Sequence, residues 1–444
     1  MKRWMNIITL AVALAFSTFV GTAEAQEPLM LALDRAVAAT LENNPGIKSL
    51  DHQVRAAEGR ASAASRIRWG RLDAFFYTQR TNDAWLVRPM SEELLAEAGS
   101  FAGLPWDRNQ NHWGASFVIP LYTGGSLNSG IEIGRLQSEE FIALAEGTRW
   151  QLRFNATSLY AAAQALDQVL LAQDQQIAAL KRTKENLDLM ISVGKRPALD
   201  GLKTLASLEA VKSGRAGTAA ERVKVGALLL SLMGEDPKRN ITVDPLPDFA
   251  PQLQVSPDDL FLTLEVSSSF RRAGFAVEQA NRMVTAERSS FIPKVTASGN
   301  YSWHDAPSLD GTLDTWEVKL GVIVPILAGG SRSESLGSAK ENAASAGLDL
   351  ENIRLKTTAE LVDSVAAFGA AQQQIVADRA RVAAANEAAR IEGIRYDSGA
   401  GTIEDLLMAR AEEQDARAAI ARAFAAARTT GERINSIVEK EVVK

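Results

Sequence analysis

The chain has 444 residues, 46% of them hydrophobic, with 48 Lys and Arg against 54 Asp and Glu, three His and no Cys. The lack of Cys excludes a disulfide scaffold, a thiolate metal site, a thiol nucleophile and a Cys-linked lipid anchor. An acidic balance with a pI near 5.4 argues against a nucleic-acid partner, which calls for a basic stripe.

Taken in order, residues 1–25 read as a signal peptide. Lys2 and Arg3 precede an apolar run from Ile7 to Val20, and Ala23-Glu24-Ala25 supplies the small-x-small cleavage pattern, so the mature chain is expected to start at Gln26. Beyond it no apolar stretch reaches the roughly 18 residues a spanning helix needs; Val225 to Met233 is far too short. A membrane crossing therefore requires strands closed into a barrel.

A first structural repeat is expected over 26–233. Helical periodicity runs from about Leu33 to Arg68, followed by strands at about 71–80 and 113–121. Leu72 to Arg80 is ambiguous, whereas Trp113, Ala115, Phe117 and Ile119 alternate up to Pro120. Between them Thr81 to His112 is a loop rich in Pro, Asn and Asp, in which Ser91-Glu92-Glu93-Leu94-Leu95 reads equally as a short capped helix or a disordered surface loop. Over 127–191 the period changes: Leu152, Ala156, Leu159, Ala163, Leu166, Leu170, Gln173, Ile177 and Leu180 step by alternating fours and threes. That is a coiled-coil-like helix, about 98 Å long at about 1.5 Å per residue. A tip at 192–200 and a return helix at 201–233 follow. Residues 234–258 hold five prolines and read as an equatorial linker with at most a short strand.

The second repeat, 259–444, has the same order. After a helical segment at Ala273 to Ser289, Lys294 to His304 alternates strictly between an apolar and a wet face, giving a strand at about 294–304. Trp316, Val318, Leu320, Val322 and Val324 give another at about 315–325. Tyr301, Trp303, Trp113 and Trp316 stand at strand ends, as in an interfacial girdle. Leu361, Val365, Phe368, Ile375 and Val382 carry a long helix over 332–396, then a tip at 397–401 and a helix at 402–437.

The repetition is explicit. Ile119-Pro120-Leu121-Tyr122-Thr123-Gly124-Gly125-Ser126 matches Val324-Pro325-Ile326-Leu327-Ala328-Gly329-Gly330-Ser331 at an offset of 205, and the same offset carries Gly194, Asp200, Leu202 and Ala206 onto Gly399, Asp405, Leu407 and Ala411. The upstream match of Trp69 to Leu72 with Ile292 to Val295 has an offset of 223, so the first repeat holds 18 extra residues within its strand-to-strand loop. The chain is a tandem duplication.

These features resemble the TolC family of trimeric outer-membrane efflux and secretion ducts. The resemblance rests on Leu41-Glu42-Asn43-Asn44-Pro45, on the two Pro and Gly-Gly strand exits (Pro120, Gly124, Gly125; Pro325, Gly329, Gly330), and on Tyr396-Asp397-Ser398-Gly399-Ala400-Gly401-Thr402-Ile403-Glu404-Asp405-Leu406-Leu407. It covers about Pro28 to Val438. It implies a mainly α fold with a β-barrel portion: a homotrimer whose protomers each give four strands to one 12-stranded outer-membrane barrel, continuous with a long periplasmic α-helical barrel. Implied partners are a periplasmic adaptor protein, an inner-membrane pump or ABC transporter, and outer-membrane lipid. The resemblance places Asp200, Tyr396, Glu404 and Asp405 at a periplasmic gate, and Gly194, Lys195, Arg196, Pro197, Ser398, Gly399, Ala400 and Gly401 at adaptor-contacting tips. Three positions depart from the family pattern. Gly70 stands where Pro is usual, Gly401 and Met408 replace an Arg and an Asp of the second tip, and no long C-terminal tail follows Val438 to brace the equator.

The function expected is a passive exit duct for a tripartite efflux pump or a type I secretion system. A structural coiled-coil or fibre protein would explain the helices but not the alternating strands. No nucleophile elbow or P-loop is present, and His52, His112 and His304 have no second ligand at metal spacing. Neither an enzyme nor a cofactor is expected. The tip acids have an ordinary reading too: Asp405 stands three residues after Thr402 as in a capping box, and Asp200 lies in a first helical turn.

Overall fold

A computed structural model describes residues 29–247 and 250–444; the expected signal peptide lies outside the described residues. In chain order the elements are β1 (Leu29–Leu31), α1 (Leu33–Asn43), α2 (Pro45–Arg66), β2 (Arg71–Leu86), α3 (Glu92–Ala98), β3 (Trp106–Tyr122), α4 (Ser126–Ser192), α5 (Ala198–Leu232), β4 (Ile241–Val243), α6 (Pro257–Thr263), α7 (Ser268–Arg288), β5 (Lys294–Asp305), β6 (Leu313–Ile323), α8 (Ser331–Asp397) and α9 (Ile403–Val438). The chain is mainly helical with one four-stranded antiparallel sheet, as expected.

The helical segment read as continuous from Leu33 to Arg68 is broken. Pro45 has no N–H to give and drives Asn44 out of helical geometry, to φ −56° and ψ 122°. Asn44 then caps α2, its side chain accepting from Gly46 N at 2.8 Å and Ile47 N at 3.3 Å, while its amide donates to Leu232 O at 2.8 Å. The elbow thus clasps the end of α5.

α4 and α8 each run 67 residues, about 100 Å, with no Pro to interrupt them. Ala143, Ala156 and Ala163 have no exposed surface, so α4 is approached closely by its neighbours. α5 packs on α4, and α9 packs on both α8 and α4. One core joins Leu31, Ala36, Tyr160, Leu229 and Val243. There the Tyr160 hydroxyl donates to Leu31 O at 2.9 Å and accepts from Asp244 N at 3.0 Å, tying the parallel pair β1 and β4 to α4. Burial pushes the Tyr160 hydroxyl up to about 12.

The equator is braced a second time, although the tail after α9 is short. The chain turns at Glu439, the one described non-Gly residue with positive φ, and Lys444 and Gln252 exchange backbone hydrogen bonds of 2.8 and 3.1 Å, with Gln254 N donating to Val442 O at 2.8 Å. Buried Asn435 accepts from Val442 N and Val443 N at 2.8 and 2.9 Å. The backbone of 442–444 is thus received on one side by residues 252–254, antiparallel, and on the other by the Asn435 side chain.

The sheet has the order β2-β3-β5-β6. The first two strands extend beyond the expected 71–80 and 113–121: pairing continues through Gln79 with Gln110 and Arg80 with Asn109, shifts register, and resumes at Trp85 with Asp107. These pairs carry polar side chains, so the ladder continues where apolar alternation does not. β6 lies two residues earlier than the expected 315–325. Gly70 opens β2 with φ +77°, where a Cβ would run into the Val118 carbonyl oxygen; the first strand can start there because nothing larger fits.

Candidate functional site

Each repeat ends in a helix hairpin. α4 closes with Gly194 in the left-handed region, Gly194 N donating to Ile191 O at 3.0 Å and Lys195 N to Met190 O at 2.8 Å. α8 closes the same way, with Gly399 N to Tyr396 O at 3.1 Å and Ala400 N to Arg395 O at 2.8 Å. These are paired Schellman turns, for which glycine is preferred. Pro197 and Thr402 then occupy the cap positions of α5 and α9.

The two hairpins are bound to each other within one chain. Tyr396 is buried with Leu187, Ile403 and Leu406. Arg196 lies over its ring, 4.4 Å from the centroid, and donates to its carbonyl at 2.6 Å. The Tyr396 hydroxyl reaches Asp200 Oδ2 only at 3.5 Å, the outer limit of a hydrogen bond. Burial raises the Tyr396 hydroxyl above its ordinary value, Arg196 opposing and Asp200 assisting. Lys203 pairs with Glu404 across α5 and α9 and holds that carboxyl below the usual range. Thr402 caps α9: the Asp405 N–H donates to Thr402 Oγ1 at 3.1 Å and the Thr402 hydroxyl donates to the Asp405 carboxylate at 2.8 Å, where the expected capping box would have used the Thr402 N–H. Of the residues expected at the outer tips, Gly194, Lys195, Pro197, Ser398, Gly399 and Ala400 are exposed, whereas Arg196 and Gly401 are half-buried.

At the far end of α4 and α8 the sheet separates its residues by face. Register and alternation put Val295, Ala297, Tyr301, Trp303, Trp316, Val318, Leu320 and Val322 on one face, and Thr296, Ser298, Asn300, Glu317 and Lys319 on the other. In β2, Leu72, Ala74 and Phe76 join the apolar set, and Phe75 and Tyr77 the polar one, which is why that strand had no clean alternation. Gly125 and Gly330 cap α4 and α8 directly after the strand exits. Ser91 accepts from Leu94 N at 3.2 Å and caps α3, so the outer loop contains the short helix. Val87, Leu94 and Leu104 of this segment are buried, as is Ala306 after β5.

The sequence profile described as Outer membrane efflux protein matches residues 36–235 and 262–438, both repeats. The chain belongs to the outer membrane efflux protein family. It is similar to the outer membrane protein OprJ of Pseudomonas aeruginosa, 24% identical over 254 residues that cover 53% of this chain and 52% of that one; the match thus spans about half the length of this relative. Its fold is that of the CmeC outer membrane channel of Campylobacter jejuni, with a TM-score of 0.80 at 16% identity over 92% of this chain and 86% of that one. The outer membrane protein VceC of Vibrio cholerae gives a TM-score of 0.77 at 18% identity, covering 92% and 96%. As a member of the efflux protein family the chain is an outer-membrane channel protein with a large periplasmic helical part, and not an enzyme.

Within this family fold, sequence reasoning missed the inward turn of Arg196 and the Lys203 pair. The duplication held a signal: at the offset of 205, Arg196 and Lys203 fall on Gly401 and Met408. Cationic residues that only one repeat carries are candidates for holding the two tips together.

Proposed function

We propose that three copies of this chain form an outer-membrane exit duct, serving either a tripartite efflux pump or a type I secretion system, which passively conducts cargo handed over by a periplasmic adaptor and an inner-membrane pump or ABC transporter. The observation that carries this reading is the sheet: four strands leave β2 and β6 as unpaired edges, an arrangement that exposes backbone donors and acceptors and calls for closure by further strands. Channels of this family form trimers in tripartite efflux systems. With three copies, β2 of one protomer meets β6 of the next in a 12-stranded barrel. The apolar face then meets lipid, and the face bearing Asn300, Glu317 and Lys319 lines the lumen.

In this reading the tips form the periplasmic entrance. Asp200, Tyr396, Glu404 and Asp405 surround the gate and the exposed tip residues meet the adaptor. An acidic residue near a threefold axis appears three times, and fields add in a narrow opening. The test is single-channel conductance of the purified protein in a planar bilayer. The entrance should prefer cations and be plugged by trivalent cations from the periplasmic side, with Asp405→Asn weakening the block and leaving the trimer intact. Unchanged block and ion preference in the Asp200→Asn, Asp405→Asn double variant would reduce both acids to helix caps.

A further inference from the structure

The outer loop bends over the polar face of the sheet. Along β5 that face is open at Asn300 and covered at Ser302 and His304, and Gln110 and His112 of β3 are buried beside them. The covering segment follows the register shift in β2: the Gln110 amide donates to Trp85 O at 2.7 Å, and Val87 N donates to Pro105 O at 2.9 Å. Between this roof and the sheet lies a cavity of about 1270 Å³, walled by Arg88 and Met90 of the loop and by Tyr77, Asn300 and Glu317 of the sheet. The floor differs from strand to strand. β5 and β6 present Asn300, Ser302, Thr315 and Glu317 on this face, whereas β2 presents Phe75 and Tyr77. Their rings stack with centroids 6.2 Å apart and 24° between planes, and Tyr77 continues onto the His112 ring at 4.7 Å. Tyr77, Trp85 and Met90 line the cavity yet are 50%, 56% and 55% exposed, so these side chains do not fill a core.

The charges around the cavity are unevenly partnered. Glu317 pairs with Lys319, and Asp314 accepts the Tyr301 hydroxyl at 2.8 Å. Arg88 also lines the cavity, and among the described residues it makes no ion pair. Its Nε is enclosed without a partner, and its Nη2 reaches Ser91 Oγ only at 3.4 Å. Glu93 feels the guanidinium charge from beyond ion-pair distance. We propose that this cavity binds a planar aromatic carboxylate, its rings laid against Tyr77 and Trp85 and its carboxylate taken by the terminal nitrogens of Arg88. Ligand cavities combine apolar walls with a few polar groups that fix orientation. Aromatic rings gain from offset stacking on others, and the guanidinium fork matches the two oxygens of a carboxylate. The walls belong to one chain, so the proposal rests neither on how protomers assemble nor on what the duct carries.

The test is a ligand-observed NMR titration of the purified full chain in nanodiscs, with naphthoate as probe, naphthyl methanol as its neutral counterpart and empty nanodiscs as the blank. Saturable binding of naphthoate above the blank is expected. Arg88→Gln should weaken naphthoate about 10-fold, the scale of one hydrogen bond to a charged group, and leave naphthyl methanol unchanged; Tyr77→Ala should weaken both. Naphthyl methanol binding that survives in Arg88→Gln also shows that this variant keeps its fold. A wild-type chain without saturable naphthoate binding overturns the site whatever the variants do. So does an Arg88→Gln chain that loses both probes alike or neither, or a Tyr77→Ala chain that keeps both. None of these outcomes bears on conduction, so a failure here is distinct from a failure of the duct reading.

Discussion

At the scale of single residues, the tip contacts differ in strength in a way that can be measured. The Tyr396 hydroxyl sits 3.5 Å from Asp200 and contributes little, whereas Arg196 makes a 2.6 Å bond to the Tyr396 carbonyl and covers its ring. A hydrogen bond from a charged donor is worth about 1.5–3 kcal/mol and an exposed cation–π contact about 0.5–1 kcal/mol. Arg196→Ala is therefore expected to raise the open probability in bilayer recordings more than Tyr396→Phe does; equal effects would remove Arg196 as the main tie. Glu439 offers a second residue-scale test. Burial raises its carboxyl above the ordinary 4.5, Ser268 opposing through its N–H and hydroxyl. The folded state thus binds more protons than the unfolded one between the two values. The stability contributed is fully present below about pH 4.5 and declines as pH rises through the raised folded value. Glu439→Gln should flatten that decline in thermal unfolding between pH 4.5 and 7, and an unaltered slope would show that Glu439 does not set it.

At the scale of the elements, β6 offers the sharpest test of which face meets lipid. Val318, Leu320 and Val322 share the face opposite Lys319. A charge at Leu320, near the bilayer midplane in the proposed barrel, should cost about 2–4 kcal/mol for Arg or Lys, seen as a lower denaturant midpoint for Leu320→Arg in lipid vesicles. Spin labels should report lipid at position 318 and water at 319. The reverse accessibilities would shift the strand by one residue.

At the scale of the whole molecule, one long helix keeps apolar residues exposed. On α8, Leu348, Leu355 and Val362 recur every seven residues and are 73%, 63% and 53% exposed. This apolar row lies along one face of the helix, and among the described residues it stays exposed. In the proposed trimer it meets a neighbouring protomer. Leu355→Asp is expected to lower the temperature at which the trimer band dissociates in gels while leaving the monomer's helix content by circular dichroism unchanged; an unshifted band would place the contact elsewhere.

The sequence by itself determined the duplication, the two long helices, the strand alternation of β5 and β6 and the glycine-marked tips, because each is a local pattern: a fixed offset, a period of about 3.5 or of 2, or a residue suited to a left-handed turn. It did not determine the full length of β2 and β3, since the upper pairs carry polar residues on both faces and no periodicity reports them. It missed the break at Asn44, where one Pro outweighs the surrounding helical pattern. Only the tertiary structure decided that Arg196 belongs to Tyr396 rather than to the outer tip, that Glu439 caps α7 through Ser268, and that His112 meets His304, 192 residues away. Contacts of this kind depend on inter-repeat register and on how two hairpins pack side by side, and neither leaves a mark on the spacing of residues along one chain.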